Sequence, residues 1–190
     1  MVIYSSGEES FSHAAYVAFV LNWLGHRAIG VLDGGFEKWR AEDREITLAF
    51  PSHARAEFEA RPDSELLKTR QEVMDAISGE SAVLLDARRP EQYESGHIPT
   101  ARSFFLQNTL EGDTVKTWKS PEELRALASE AGVRADRPTI TYCTSGRESA
   151  QIWFTLRYVA GLEDVSSYHG SWIDWTAAGL PAESGCPSRP

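Results

Sequence analysis

The chain has 190 residues, with 28 Asp and Glu against 19 Lys and Arg, a formal charge of −9, and 42% hydrophobic and 11% aromatic content. That composition can bury a core and argues against general disorder, and the length suits one domain, or one domain plus a fragment. The acidic balance excludes a charge-driven binder of nucleic acid or of membrane surfaces, both of which need a basic face.

Taken in chain order, Val2 to Ser5 reads as a strand that begins at the first residue, followed by an amphipathic helix. Inside that helix the longest apolar run, Ala14 to Leu21, is too short to span a bilayer. It follows Glu8 and Glu9 instead of a basic segment, which makes it a poor signal peptide. Two cysteines, Cys143 and Cys186, make neither a disulfide framework nor a zinc site. We therefore expect a soluble, cytoplasmic protein with no metal and no cofactor. After a second strand and the turn at Gly34, Phe36 to Trp39 forms a short helix. Phe50 to Ser64 is rich in Pro, Arg and Glu without periodicity and reads as a surface linker.

Thr69, with Glu72 three residues on, is a capping box that opens a helix ending near Gly79. Ala82 to Leu85 is a continuous apolar run ending at Asp86, the pattern of a buried parallel strand. Ser120-Pro121-Glu122-Glu123 starts another helix, which stops near Gly132. Thr139 to Tyr142 is a strand, Cys143 to Ser149 a polar loop, and AQIWFTLRYVAG a helix. Val165 to Tyr168 and GSWIDW close the pattern. Alternating strands and helices predict an α/β fold with a parallel sheet flanked by helices.

The chain also repeats itself. LGHRAIGVLDGGFEKW lines up with AGLEDVSSYHGSWIDW, so that Gly25, Gly34, Phe36 and Trp39 recur as Gly161, Gly170, Trp172 and Trp175. Val2 to Ser5 matches Ile140 to Cys143, which makes the first loop two residues longer in the N-terminal copy. Only the second copy has a lead-in. We expect residues 1–48 to be the C-terminal half of a domain, 49–65 a linker and 66–187 a complete domain; a small appended helical hairpin is the plainer reading of the first segment. A partial copy would leave a free sheet edge, to be covered by a homodimer partner or by a missing N-terminal segment.

Cys143 follows a strand and precedes a helix, the place where open parallel sheets bind ligands. Loop N–H groups and the helix dipole there favour a thiolate, and Gly146 permits a bend that a Cβ resists. From the local pattern alone, an ordinary buried free cysteine is equally consistent.

Cys143-Thr144-Ser145-Gly146-Arg147-Glu148-Ser149, the segment LLDARRPEQYESGHIPTA (Leu84 to Ala101) and the ending YHGSWIDW resemble the active-site loop and flanking signatures of rhodanese domains. The repeat resembles tandem-rhodanese sulfurtransferases, such as thiosulfate and 3-mercaptopyruvate sulfurtransferases, in which the first domain is catalytically silent. Ser5 stands where a cysteine is expected, within the elongated loop SSGEESFSH. The resemblance implies that Cys143 takes a sulfane sulfur from a small anionic donor as a persulfide and passes it to cyanide or a thiol. It implies that the loop residues Thr144 to Ser149 hold the anionic sulfur, with Arg147 and Arg88 as cations for the donor. Arg88 could equally be a structural partner of Asp86 or Glu91, and Asp86 an anchor of its strand end.

The loop departs from the Cys-Gly-Ser-Gly-Val-Thr of 3-mercaptopyruvate enzymes at Thr144 and Arg147-Glu148. It also lacks the two adjacent cations of eukaryotic thiosulfate enzymes. Gln92 occupies a position usually held by Arg, and Thr100 makes GHIPTA of the usual GHIPGA. The pattern resembles bacterial thiosulfate sulfurtransferases most. The alternatives are 3-mercaptopyruvate as donor, or a non-catalytic binding module or inactive fragment. A phosphatase would place Arg where Ser149 stands. His97 reads as a turn residue, His169 as a neighbour of the loop without an assigned role, Trp153, Trp172 and Trp175 as core, and Cys186 as part of the tail.

Overall fold

The computed structural model describes residues 1–7 and 10–185. In chain order it comprises β1 (Val2–Ile3), α1 (Ser10–Trp23), β2 (Gly30–Val31), α2 (Gly35–Ala41), α3 (Arg70–Ser78), β3 (Val83–Asp86), α4 (Pro90–Ser95), β4 (Arg102–Ser103), β5 (Leu110–Glu111), β6 (Thr117–Trp118), α5 (Pro121–Glu130), β7 (Thr139–Tyr142), α6 (Ser149–Phe154, continued by a π-turn over Thr155–Val159), β8 (Val165–Ser167) and α7 (Ser171–Ala177).

The main sheet runs β4-β3-β7-β8, all parallel, and Leu67 adds a parallel bridge to Ser167 at the β8 edge. Every residue of β7 is buried, as a central parallel strand covered on both faces must be. Alternation along the strands sends neighbours to opposite faces. Leu84, Ile140 and Tyr142 meet Val73 of α3, Tyr93 of α4 and Trp175 of α7 on one side. Leu85 meets Trp153 and Phe154 of α6 and Ala128 of α5 on the other. Two predicted capping boxes are formed: Thr69 Oγ1 accepts from the Glu72 N–H while the Glu72 carboxylate accepts from the Thr69 N–H, and Ser120 with Glu123 does the same. α4, β4 and the β5–β6 hairpin have no counterpart in the predicted elements.

At the N-terminus, β1 and β2 form their own two-stranded parallel sheet, Val2 opposite Gly30 and Ile3 opposite Val31. The order β1-α1-β2-α2 matches β7-α6-β8-α7. The paired strands lie two residues further apart in sequence at the N-terminal end (30 − 2 against 165 − 139). α1 is not one-faced, as its pattern was expected to be. Phe11, Ala14, Ala15, Ala18 and Phe19 are buried, while Val17 on the other side is apolar and 45% exposed.

The buried stripe of α1 packs on α6. Phe19 meets Trp153 edge-on at 4.9 Å, and Phe11 meets Trp118 at 4.5 Å. Each such phenyl group contributes about 2–3 kcal/mol by leaving water. The three alanines let the backbones approach, and two side-chain hydrogen bonds cross the contact. Ser12 Oγ donates to Gln151 Oε1 (2.8 Å) and Asn22 Nδ2 to the Tyr158 hydroxyl (2.6 Å). Residues 44–63 carry no regular secondary structure. The end of this segment is tied to α1 where the Arg61 and Asp63 N–H groups donate to the Leu24 and Trp23 carbonyls.

Candidate active site

Cys143 lies at the carboxyl end of β7, 1% exposed. Its loop is held by the first turn of α7. The Cys143 N–H donates to Ser171 Oγ (3.2 Å), and its carbonyl accepts from the Trp172 N–H (3.0 Å). The Thr144 carbonyl accepts from the Ile173 N–H (3.1 Å). Inside the loop the chain reverses at Gly146, whose φ of 92° is open to glycine. The reversal aims the Gly146 N–H at Cys143 Sγ, 3.1 Å away. Ser149 Oγ donates to the Gly146 carbonyl (2.9 Å) and lies 3.2 Å from Ser167 Oγ, fixing the peptide that follows the reversal. A preset N–H directed at sulfur stabilises negative charge there without reorganisation.

Ser145 and Arg147 are exposed, Thr144 and Glu148 half-buried. Arg147 Nη1 lies 3.4 Å from His13 Nε2 of α1. Arg88 sits elsewhere in the frame. Its Nε and Nη2 donate to both carboxylate oxygens of Asp86 (2.6–3.0 Å), and Nη2 also donates to the Gly96 carbonyl (2.7 Å). Burial alone would lower the guanidinium's pKa, but its hydrogen bonds to the Asp86 carboxylate and that group's charge outweigh it and raise it. The guanidinium stacks over Trp172 at 4.6 Å, the residue whose N–H holds the Cys143 carbonyl. Arg88 and Asp86 thus brace the loop through Trp172, and any contact of Arg88 with a donor would come in addition. Burial, with Asp86 nearby, pushes the Tyr142 hydroxyl up and keeps it neutral; it accepts from the Ile98 N–H (3.1 Å).

A cavity of about 140 Å³ reaches the loop at Glu148, with Arg88, Arg89, Gln92 and Phe105 on its other walls. His97 does serve a turn: Nδ1 lies 2.9 Å from the Tyr93 carbonyl and the ring stacks on Tyr93 at 3.8 Å. Among the described residues no cluster of three or more His, Cys, Asp or Glu could hold a metal ion, and no helix is long and apolar enough to cross a membrane. Cys186, Glu8 and Glu9 lie outside the described residues.

Ser171 was missed by sequence reasoning. It adopts φ 55°, a left-handed conformation that a side chain resists. The signal was in the repeat, which sets Ser171 against Gly35 (φ 57°). There the Phe36 N–H donates to the Ser5 carbonyl (3.1 Å), as that of Trp172 donates to Cys143.

Residues 69–178 match the rhodanese-like domain family. Over 202 residues the chain is 33% identical to a Saccharopolyspora erythraea protein provisionally named thiosulfate sulfurtransferase, a match that covers 97% of this chain and 70% of that one. It is 30% identical over 201 residues to the sulfur carrier protein TtuD of Thermus thermophilus, covering 94% and 70%. The solved structure of wild-type EanB is similar in fold, with a TM-score of 0.86 at 22% identity. The match covers 98% of this chain and about half of EanB (50%).

Proposed function

The chain belongs to the family of rhodanese-like domains and is an enzyme of the thiosulfate sulfurtransferase type, and we propose that it works through a persulfide on Cys143. The thiolate attacks the outer sulfur of thiosulfate. A sulfur–sulfur bond forms to Cys143 as the bond to the sulfonate breaks, and sulfite leaves with the electron pair. A thiolate or cyanide then attacks the terminal sulfur, and Cys143 returns as thiolate. The Gly146 N–H supplies the donor that both anionic states need. Arg147 is the exposed cation beside the loop, suited to a sulfonate because its planar fork can make two hydrogen bonds at once. Arg88 and Asp86 hold the frame.

The observation that carries this reading is the Gly146 N–H set 3.1 Å from the sulfur at the end of a central parallel strand. The sulfur-carrier name of the Thermus relative favours a thiol acceptor over cyanide. We read residues 1–48 as a partial second copy of the fold, 49–65 as linker and 66–187 as the catalytic domain. The shared element order supports this, as does the two-residue offset in strand register.

The test is the intact mass of the protein after incubation with thiosulfate. We expect a gain of one sulfur atom, lost on addition of cyanide or a thiol, and no gain in Cys143→Ser. A protein that gains sulfur equally well as Cys143→Ser would overturn the mechanism. Gain from 3-mercaptopyruvate alone would move the donor to that class.

A further inference from the structure

His169, in the turn after β8, is not used by this mechanism, yet it packs against the loop at Gly146. A Cβ built on Gly146 would stand 2.6 Å from the His169 carbonyl oxygen and 2.9 Å from ring atoms Cγ and Cδ2. The ring therefore lies over the Cα of Gly146, the residue whose N–H meets Cys143 Sγ. Aromatic rings of α1 hold it there: Phe19 is stacked at 5.1 Å and 11°, and Tyr16 at 5.5 Å and 24°. Tyr16 and Phe19 are three residues apart and so share one face of the helix.

Among the described residues the buried Nδ1 of His169 has no hydrogen-bond partner. An imidazole held by its polarity would have one. This ring is held by its shape.

We propose that His169 is a positioning residue for Cys143, a flat spacer through which α1 presses Gly146, and with it the loop N–H, against the sulfur. The inference rests on Cys143 being the reacting group and extends that reading to the N-terminal helix. It makes α1, outside residues 69–178 of the family match, part of the machinery that tunes the nucleophile. Because packing and not hydrogen bonding does the work, phenylalanine should replace histidine, while alanine should not.

The experiment uses the full chain and two readouts: alkylation of Cys143 by iodoacetamide at neutral pH, followed by peptide mass, and sulfur gain from thiosulfate. His169→Ala should slow both by at least about tenfold, the scale expected when a reacting group loses its alignment. His169→Phe should stay within about threefold of the parent, a rescue that a role for the ring nitrogens would not allow. An unchanged alkylation rate in folded His169→Ala overturns the proposal, as does a His169→Phe variant as slow as alanine. If circular dichroism shows His169→Ala unfolded, Tyr16→Ala takes its place. It removes one ring of the stack, should slow alkylation in the same direction, and sinks the proposal if the rate is unchanged. Alkylation reads the loop whether or not sulfur moves. A parent protein that alkylates but gains no sulfur would refute the proposed function while the variant series still judged His169.

Discussion

Ser171 and Gly35 occupy matching turns with nearly the same φ, 55° and 57°, and the difference between them isolates what a side chain does at this point. For an L-residue the left-handed conformation costs roughly 1–2 kcal/mol, and such strain persists where the surroundings enforce it. In return, Ser171 Oγ accepts from the Cys143 N–H and donates to the Tyr168 carbonyl (2.9 Å), each bond being worth about 1 kcal/mol net. Strain and hydrogen bonds nearly cancel in stability, so Ser171→Gly should unfold within about 1 kcal/mol of the parent. The same change frees the Cys143 backbone, and sulfur loading from thiosulfate should slow by about tenfold or more. Equal loading rates in parent and variant would mean that Trp172 and Gly146 hold the loop alone. Cys143, Gly146 and Arg147 were legible because strand, polar loop and glycine lie contiguous in sequence. Ser171 was not, because it reaches the Cys143 backbone from 28 residues away (171 − 143) through pairing of β7 with β8, and His169 was legible as a neighbour of the loop but not in its packing. Thr100 was legible as a residue standing where glycine is usual. Its φ of 68° marks the position as one that glycine suits.

Helices and strands divide by where their stabilising contacts come from. α3 and α5 were readable because their starts are written locally, in Thr69 with Glu72 and Ser120 with Glu123. β4 and the strands of the β5–β6 hairpin have two residues each, and no periodicity can develop over such a length. α1 was legible as a helix but not as a wall of the site, since its neighbours on α6 follow more than a hundred residues later. Phe11, Ala15, Ala18 and Phe19 of α1 belong to the same apolar cluster as Trp153 and Leu156, so both parts of the chain should unfold as one unit. Ala15 is fully buried, and Ala15→Leu adds volume where the helices already touch, at a cost of about 1–3 kcal/mol. In denaturant, far-ultraviolet circular dichroism and tryptophan fluorescence should move together to a lower midpoint. Two separate transitions, with only one shifted, would show that residues 1–41 form an independent unit.

At the scale of the whole molecule, the interior that holds the loop also sets how stability depends on pH. Burial depresses the His169 pKa below its ordinary 6.5, so the folded state keeps the ring neutral where the unfolded chain would protonate it. Below about 6.5 the unfolded state binds more protons, and stability falls as the pH drops. Above that value both states are neutral at this residue and its contribution is complete. Tyr16 is the titratable side chain stacked on the ring. Glu72 acts in a different range. Its pKa is lowered first by the hydrogen bond from the Thr69 side chain, so the stability it adds is present above its ordinary 4.5 and is lost only as the pH falls below that value. Denaturant unfolding measured at intervals from pH 8 to pH 3 should therefore give a plateau and then a decline that begins near 6.5. In His169→Phe, which keeps the ring against Gly146 and removes the proton site, that part of the decline should disappear while the acid limb from Glu72 remains. An undiminished decline in His169→Phe would assign the pH dependence to another group. It would also mean that the interior around Phe19 and Tyr16 does not exclude charge, the property that lets it grip the active-site loop by shape.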